Sequence, residues 1–194
     1  MKGRNDFMDT AGIIIDANLT LEEVLKNKQT LSAPQEVLDR QRMVEVTYYA
    51  FDGLLHQGQI VVDMDLAEEV KEAFCIIKKT KFPIKSVIPF VDRCFMSEEE
   101  KMASINNTSA FNYRLMTDSN KLSNHAFGRA MDINPALNPF VKGAEVIPLS
   151  AKRDISLPGT IVGDEEFVAY LKSKGWEWGG DWTDRKDYMH LEKS

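Results

Sequence analysis

The alternation of apolar and polar positions predicts a β-hairpin in the first third of the chain. Residues 43–49 are rich in β-branched and aromatic side chains, Asp52-Gly53 has the composition of a tight turn, and residues 59–62 resume the apolar run. β-Branched and aromatic residues favour strands, and an Asp-Gly pair favours the reversal between two of them. We therefore expect two antiparallel strands joined at this turn.

Apolar positions at helical spacing predict a helix from residue 66 to about residue 79, which would pack against the hairpin. Asp65 and Glu68 have the spacing of a capping box at its start. Cys75 lies beside apolar positions, so we expect a buried and unreactive thiol there. A disulfide with Cys94 is the alternative, and the disulfide state stays open. The apolar positions of the helix are Leu66, Val70, Phe74 and Ile77.

Shorter patterns complete the predicted architecture. Residues 84–90 are expected to form a strand, Ser97 to cap a short helix, and residues 164–175 to form a helix that ends at its final glycine. Residues 134–158 hold four prolines without a clear period, which predicts a long surface loop at the rim of a functional site. Because strands and helices do not alternate regularly, we predict an α+β fold with a mainly antiparallel sheet and flanking helices.

Size and charge narrow the class of protein. A chain of 194 residues with 43% hydrophobic side chains can bury the core of a single domain, so we expect a main domain over residues 41–194, preceded by an arm with short helices over residues 1–40. The net charge of −6, without a basic and aromatic stretch, argues against nucleic acid as a partner. No apolar run reaches the roughly 18 residues of a membrane span, and no signal peptide is visible. We expect a monomer.

Two short motifs, separated by 58 residues (190 − 132), carry side chains that can bind a metal. The first runs from Ser123-Asn124-His125 to Asp132, and the second is Asp187-Tyr188-Met189-His190. Two neutral imidazoles and one carboxylate leave the fourth position of a tetrahedral zinc site open for water. Zinc held in this way keeps a formal charge of about +1 and lowers the pKa of water to about 7. We therefore predict a catalytic Zn²⁺ site formed by His125, Asp132 and His190.

The backbone between the two ligands of the first motif has to turn. On a strand, Asp132 shares a face with Ala130 and Gly128, whereas His125 is an odd number of positions away. Gly128 is the residue best able to permit a reversal, so we expect the turn there. His56 lies outside both motifs and is expected to be structural or exposed.

Hydrolysis of an amide also needs a base that takes a proton from water and returns it to the leaving amine. Asp187, three residues before His190, is the candidate, because Asp181 and Asp184 are farther from a ligand in the sequence. A solvated loop carboxylate is the alternative for Asp187. Glu192 shares a strand face with His190, and we expect it to orient that imidazole from outside the ligand set.

The residues around these ligands form a wider pattern that resembles a known group of enzymes. The pattern consists of Ser123-Asn124-His125, Gly128, Ala130, Asp132, Gly175-Trp176, Trp178-Gly179-Gly180, Trp182, Asp187 and His190-Leu191-Glu192. It resembles the zinc D-Ala-D-Ala carboxypeptidases and dipeptidases and the related L-alanyl-D-glutamate endolysin peptidases of bacterial and phage cell-wall metabolism. The resemblance covers roughly residues 43 to 194 and implies a hedgehog/DD-peptidase-like fold. It implies that His125, Asp132 and His190 bind Zn²⁺ and that Asp187 is the general base, while Leu191 stands where Phe is commoner.

Other roles follow from the resemblance alone. Arg114 matches a family arginine, and a guanidinium suits either a substrate carboxylate or the oxyanion of a tetrahedral transition state. A surface salt bridge is the alternative. Ser123 and Trp178 are expected to contact substrate, although Trp176 and Trp178 can equally fill the core. The implied partner is a peptidoglycan stem peptide, which places the protein outside the inner membrane.

A zinc-bearing binding module without turnover, as in the hedgehog signalling domain, is the alternative to an enzyme. Asp187 discriminates between the two, because a binding module has no need of a base. Carboxypeptidase, dipeptidase and endopeptidase activities share this metal chemistry, so the choice among them stays open at this point.

Overall fold

A long antiparallel hairpin forms the centre of the fold. Strands β2 (Gln41–Tyr49) and β3 (Leu55–Asp63) pair along their full lengths, and β1 (Ile14–Ile15) adds a parallel edge next to β3. The last six residues of β3 are all buried, which shows that both of its faces are covered. The predicted hairpin is confirmed. The computed structural model describes residues 12–26, 30–90, 104–116 and 119–194.

Helices flank this hairpin. The first begins at a capping box in which Thr20 and Glu23 exchange hydrogen bonds, as its sequence favours. The last agrees with the helix predicted over residues 164–175, although it is shorter. The α-helices of the described residues are α1 (Leu21–Leu25), α2 (Gln35–Asp39), α3 (Ala67–Thr80) and α4 (Glu166–Ser173).

Helix α3 packs on β2 and α4 and agrees with the helix predicted from residue 66 to about residue 79. The predicted capping box at its start is wrong. Leu66 precedes the helix and no side chain caps it, because the Asp65 carboxylate contacts Arg40 instead. Cys75 lies on the exposed side of α3, so the predicted buried thiol is also wrong. Cys94 and the predicted cap at Ser97 lie outside the described residues.

A second sheet brings the two metal-ligand motifs together. Its strands are β4 (Ala130–Asp132), β9 (His190–Glu192) and β7 (Glu177–Trp178), and all of its pairs are antiparallel with β9 in the centre. In this register Asp132 lies directly opposite His190. Residues opposite each other in a sheet point to the same face, so the two side chains are neighbours.

A third sheet holds the candidate base. Strand β5 (Phe140–Lys142) pairs with β6 (Glu145–Ile147) on one side and with β8 (Lys186–Asp187) on the other, so that Phe140 lies opposite Asp187. The prediction of a structureless loop over residues 134–158 is therefore wrong in its centre. This segment contributes a short hairpin that fixes the strand of Asp187.

The strand predicted over residues 84–90 is also wrong. Within the described part of the chain this segment makes a single bridge, between Val87 and Thr108. Some of its backbone groups bond to isolated backbone partners, such as the Val87 carbonyl, which accepts from the Gln59 N–H at 2.9 Å. Others are bound by side chains. The Val87 N–H donates to the Tyr48 hydroxyl at 3.0 Å, and the Asn107 carboxamide bonds both the N–H and the carbonyl of Ile88.

One main hydrophobic core lies between the central hairpin, α3 and α4, and it includes buried side chains of β4 and β9 such as Met131 and Leu191. The ligand-bearing sheet is thus anchored in the core of the domain. The predicted α+β class with mainly antiparallel sheets is confirmed. No helix of the described residues is long and apolar enough to cross a bilayer.

Candidate metal centre

His125 is held on a single tight turn. It lies on a one-turn 3-10 helix (Asn124–Phe127), and the His125 N–H donates to the Ser123 hydroxyl at 3.3 Å. The turn ends at Gly128, whose φ of 70° lies in the left-handed region that glycine adopts without strain. The chain then enters β4, which ends at Asp132. The reversal between the two ligands occurs at Gly128, as predicted.

Replacing Gly128 by alanine should destabilise the fold by about 2–4 kcal/mol, from left-handed strain together with overpacking. A Cβ at this position would lie 2.3 Å from the Gln41 Oε1 atom and 2.6 Å from the Asp63 amide nitrogen. Denaturant unfolding of the metal-free protein measures the loss. Gly143→Ala is the matched control, because its φ is +60° but nothing lies within 4 Å of an added Cβ. Equal losses in both variants would contradict the proposed close contact at Gly128.

The three predicted ligands converge. The Nε2 atom of His125 lies 3.2 Å from the Nδ1 atom of His190 and 3.2 Å from the Oδ2 atom of Asp132. The other carboxylate oxygen, Oδ1, lies 3.1 Å from the Nδ1 atom of His190. One ligand atom from each residue lies within 4.8 Å of the other two. Side chains that are 65 residues apart in sequence therefore form one cluster.

These separations fit a zinc ion. Bonds of about 2.0–2.1 Å in a tetrahedron place neighbouring ligand atoms about 3.3 Å apart. The two histidine nitrogens lie 3.2 Å apart, and each lies 3.1 or 3.2 Å from one of the two oxygens of Asp132. The donor set is two imidazoles and one carboxylate, without a thiolate. This set is the one that catalytic zinc sites with an open fourth position use.

Atoms outside the ligand set orient both rings. The Nδ1 atom of His125 lies 2.7 Å from the carbonyl oxygen of Ala110, and because a carbonyl can only accept, the proton of this ring is on Nδ1 and Nε2 is free to bind a metal. The Nε2 atom of His190 lies 2.8 Å from a Glu192 carboxylate oxygen, which also accepts from the Asn124 side chain at 2.8 Å. Glu192 thus lies beside the outer nitrogen of His190, and its orienting role stays a prediction.

The carboxylate of Asp132 and the ring of His190 strongly affect each other's pKa values. Burial opposes ionisation of Asp132, but the two histidines outweigh it and hold the pKa of its carboxyl below the ordinary value. Burial also opposes protonation of His190, but its hydrogen bonds to Asp132 and Glu192 prevail and raise its pKa to about 10. Without a metal, a proton on His190 therefore neutralises part of the carboxylate charge.

Zinc binding should release at least one proton at neutral pH. His190 is protonated below its raised pKa of about 10, whereas a metal requires the neutral ring, so zinc affinity should fall about tenfold for each unit of decreasing pH in this range. Calorimetric titration in two buffers of different ionisation enthalpy counts the proton. Zinc affinity that is constant between about pH 6 and pH 9 would contradict this competition.

Asp187 lies beside the ligands in a poorly solvated position. Its Oδ1 atom is buried and has no hydrogen-bond partner. Burial raises the pKa of Asp187 to about 6, and the negative charge of Asp132 adds to this effect, while His190, His125 and Arg114 oppose it. A carboxyl group that titrates near neutral pH and whose oxygen is unpaired is suited to exchange protons with a reacting group.

Two glycines allow the strand of Asp187 to approach. A Cβ on Gly179 would lie 2.5 Å from the Asp187 carbonyl oxygen and 2.8 Å from the Asp187 Cβ. Gly180 packs in the same way against the ring of Trp178. Both glycines therefore have a steric reason, because a larger residue at Gly179 would push β8 away and one at Gly180 would displace the Trp178 ring.

Arg114 lies on the exposed side of the site, and its Nη1 atom donates to the Leu115 carbonyl at 3.1 Å. Its positive charge acts on Asp187, where it opposes the rise in pKa that burial causes. The structure thus brings Arg114 within electrostatic range of the candidate base. An ion pair of Arg114 with a carboxylate, the alternative, is not found among the described residues.

The two residues predicted to contact substrate are buried. Ser123 is 6% exposed and its hydroxyl is used by the His125 N–H, while Trp178 is 5% exposed, belongs to the main core and donates to the Tyr188 carbonyl at 2.9 Å. For Trp178 the structure shows the core alternative. The tryptophan at the site is Trp182, whose ring centroid lies 5.6 Å from that of His190 and which lines a surface pocket with Glu192.

Sequence reasoning missed two contributors to the site. The Ala110 carbonyl that orients His125 belongs to the backbone, so no residue type could reveal it. Asn124 appears in the first motif, but only the structure shows its side chain bonded to Glu192.

Comparison with known proteins indicates the same class of chemistry. A family model described as D-alanyl-D-alanine carboxypeptidase matches residues 117–193, which are 77 of the 194 residues (193 − 117 + 1) and include all three candidate ligands and Asp187. Searches of curated proteins and of solved structures gave no match. Over its C-terminal two fifths, the chain is therefore similar to the D-alanyl-D-alanine carboxypeptidase family.

Proposed function

We propose that this protein is a zinc-dependent peptidase that hydrolyses an amide bond in peptidoglycan stem peptides. One observation carries the proposal: His125, Asp132 and His190 each present a ligand atom within 4.8 Å of the other two, next to the Asp187 carboxyl group, whose Oδ1 atom is buried. The family match over residues 117–193 supports the substrate class. D-Ala-D-Ala carboxypeptidase-like and L-Ala-D-Glu endopeptidase-like cleavage both fit this site.

His125, Asp132 and His190 would hold the metal, with Ala110 and Glu192 fixing the two rings. When bound, zinc supplies a Lewis acid and lowers the pKa of water to about 7. Asp187 accepts a proton from the attacking water while the oxygen of that water bonds to the substrate carbonyl carbon. Arg114 can then stabilise the oxyanion or a free carboxylate of the substrate by charge.

Asp187 completes the reaction by returning its proton to the leaving nitrogen as the C–N bond breaks. The products are a carboxylic acid and an amine, so one water is consumed and Asp187 is regenerated. Its pKa of about 6 suits both steps, because the group can gain and lose a proton near neutral pH.

The placement of Asp187 also favours an enzyme over a zinc-bearing binding module. A buried carboxylate oxygen without a hydrogen-bond partner, such as the Oδ1 atom of Asp187, destabilises the fold, and a non-catalytic module would have no use for it. If stem peptides are the substrate, the site of action is extracytoplasmic. The expected monomer and the orientation of the His190 ring by Glu192 are part of the same proposal.

The test is cleavage of purified muropeptides, followed by mass spectrometry of the products. We expect cleavage by the zinc-loaded protein, loss of cleavage after chelation, and recovery when zinc is returned. The masses of the fragments identify which bond is broken. Unchanged cleavage after complete removal of zinc would overturn the proposal.

A further inference from the structure

A second cluster of ionisable side chains surrounds His56, outside the metal centre. The Nδ1 atom of His56 lies 3.0 Å from both carboxylate oxygens of Asp16, and its Nε2 atom lies 3.0 Å from an Asp52 oxygen. The Tyr48 hydroxyl donates to Asp16 and accepts from the Val87 N–H. The His56 side chain is only 10% exposed. The sequence offered a structural or an exposed histidine, and this cluster is structural.

The geometry requires a charged ring. Both nitrogens of His56 face carboxylates, and only the imidazolium can donate from both. Burial opposes the charge, but Asp16 and Asp52 outweigh it and raise the pKa of His56. Asp16 from the N-terminal segment, Asp52 from the β2–β3 turn and Tyr48 from β2 are the titratable groups described around this ring.

Asp16 belongs to residues 14–25, which are called the N-terminal segment below. This segment runs beside β3 and then continues into α1. It pairs with β3 at His56 and Gln57, and the Gln59 side chain bonds both the N–H and the carbonyl of Leu19. Helix α1 follows directly. His56 is therefore the charged attachment point at the start of this segment.

Helix α1 shares a hydrophobic cluster with Phe111, whose neighbours bond to His125. Val24, which is 1% exposed, packs with Val61 and Phe111. Phe111 stands between two residues that bond to the ligand: the Ala110 carbonyl accepts from the His125 ring at 2.7 Å, and the Asn112 N–H donates to the His125 carbonyl at 3.0 Å. The N-terminal segment thus covers the residue whose neighbours fix both the ring and the backbone of the ligand.

We propose that His56, as an imidazolium, is a positioning residue for His125. It fastens the N-terminal segment to β3, and α1 in turn holds residues 110–112 in the conformation that aims the His125 ring. This inference rests on the proposed function, because it assigns to His125 the role of a metal ligand. Beyond that function, a side chain outside the metal centre contributes to the zinc affinity.

The pH dependence has a defined sign. A histidine whose pKa is raised in the folded state stabilises fully below its unfolded value of about 6.5, and this stabilisation is lost as pH rises through the folded pKa. Above that pH one ring nitrogen presents a lone pair to a carboxylate. The advantage of His56 over a neutral replacement should therefore be largest in mildly acidic solution and disappear in alkaline solution.

The first measurement is the zinc dissociation constant of His56→Gln relative to the unchanged protein, from about pH 6 to pH 9.5. Replacing a group that bonds a ligand directly weakens metal binding 10–100-fold, and His56 acts further away, so we expect about three- to tenfold weaker binding at pH 6 and a ratio approaching one at alkaline pH. Asp16→Asn, which can still accept from Tyr48, should show a weaker form of the same trend. A ratio of one at pH 6, or a ratio independent of pH, would overturn the proposal.

The second measurement needs no metal. Amide hydrogen exchange at Phe111 and Asn112 should be on the order of tenfold faster in His56→Gln, since their N–H groups bond to Val61 and His125. The control is Ile77→Val, a core variant in α3 away from the N-terminal segment. It should lower the stability of the fold without changing the zinc dissociation constant or the exchange rates relative to the unchanged protein. If the unchanged protein binds no zinc but exchange is faster in His56→Gln, the proposed function falls and the fastening by His56 stands. Unchanged exchange overturns the inference alone.

Discussion

Replacing Asp187 by asparagine should lower the turnover of stem-peptide hydrolysis by about 100- to 10,000-fold, the range that a positioned general base contributes. Asparagine has nearly the same shape but cannot accept and return a proton. Zinc binding should be retained, because Asp187 is not among the three clustered ligands. The measurements are turnover, Michaelis constant and zinc content of the same preparation.

Stability separates this loss from misfolding. Burial raises the pKa of Asp187 to about 6, so at neutral pH its ionised form is less stable in the folded protein than in the unfolded chain. The asparagine variant should therefore unfold at the same temperature as the unchanged protein or at a higher one. Asp184→Asn is the matched control, because Asp184 is an exposed carboxylate three residues earlier that pairs with Arg185. Full activity in Asp187→Asn would reject Asp187 as the base.

Replacing His190 by alanine should weaken zinc binding by much more than 100-fold and abolish hydrolysis, because a ligand is lost and not just its orientation. His190 contributes a ring nitrogen 3.2 Å from that of His125 and 3.1 Å from an oxygen of Asp132. Isothermal titration with zinc gives the affinity. The rise in unfolding temperature that saturating zinc gives the unchanged protein should be absent.

A graded comparison identifies the ligand role. Glu192→Gln removes the carboxylate 2.8 Å from the outer nitrogen of His190 but keeps the ring, so its zinc affinity should fall only about 10–100-fold. Zinc affinity should then be highest in the unchanged protein, lower in Glu192→Gln and lowest in His190→Ala. Equal affinities for the two variants would mean that His190 does not bind the metal.

The sequence predicts the convergence of His125, Asp132 and His190 because the motifs consist of few residue types at fixed spacing. His125 and Asp132 are separated by a reversal that only a glycine permits easily, and Gly128 is there with a φ of 70°. Asp132 and His190 each lie in a short strand, and opposite positions in antiparallel strands share a face. The hairpin and α3 were equally predictable, since their apolar patterns match the periods of a strand and a helix.

Other features depend on long-range contacts that no local pattern contains. Asp65 has the spacing of a helix cap, but Arg40, 25 residues earlier, contacts its carboxylate. Residues 84–90 look like a strand, but Tyr48 and Asn107 bind their backbone groups. Trp178 and Trp182 are alike in sequence terms, and only the packing of Trp178 beneath Gly163 and Gly180 makes one a core residue and the other a neighbour of His190.

The N-terminal segment shows the same limit on a larger scale. The sequence gives residues 1–40 no chemical role, since a single aspartate at position 16 forms no motif. In the folded chain, Asp16 meets His56 and Tyr48, and α1 reaches Phe111 beside the backbone that bonds His125. The role of this segment depends on contacts between residues that are 32 or more positions apart.

X-ray absorption at the zinc edge, combined with elemental analysis, tests the central claim most directly. The arrangement of His125, Asp132 and His190 predicts one zinc per chain, bound only by nitrogen and oxygen at about 2.0–2.1 Å, with imidazole scattering from two rings. The His190→Ala variant, purified in the same way, should lack the ion. Zinc coordinated by sulfur, or a native protein that holds no zinc when offered it in excess, would contradict the account.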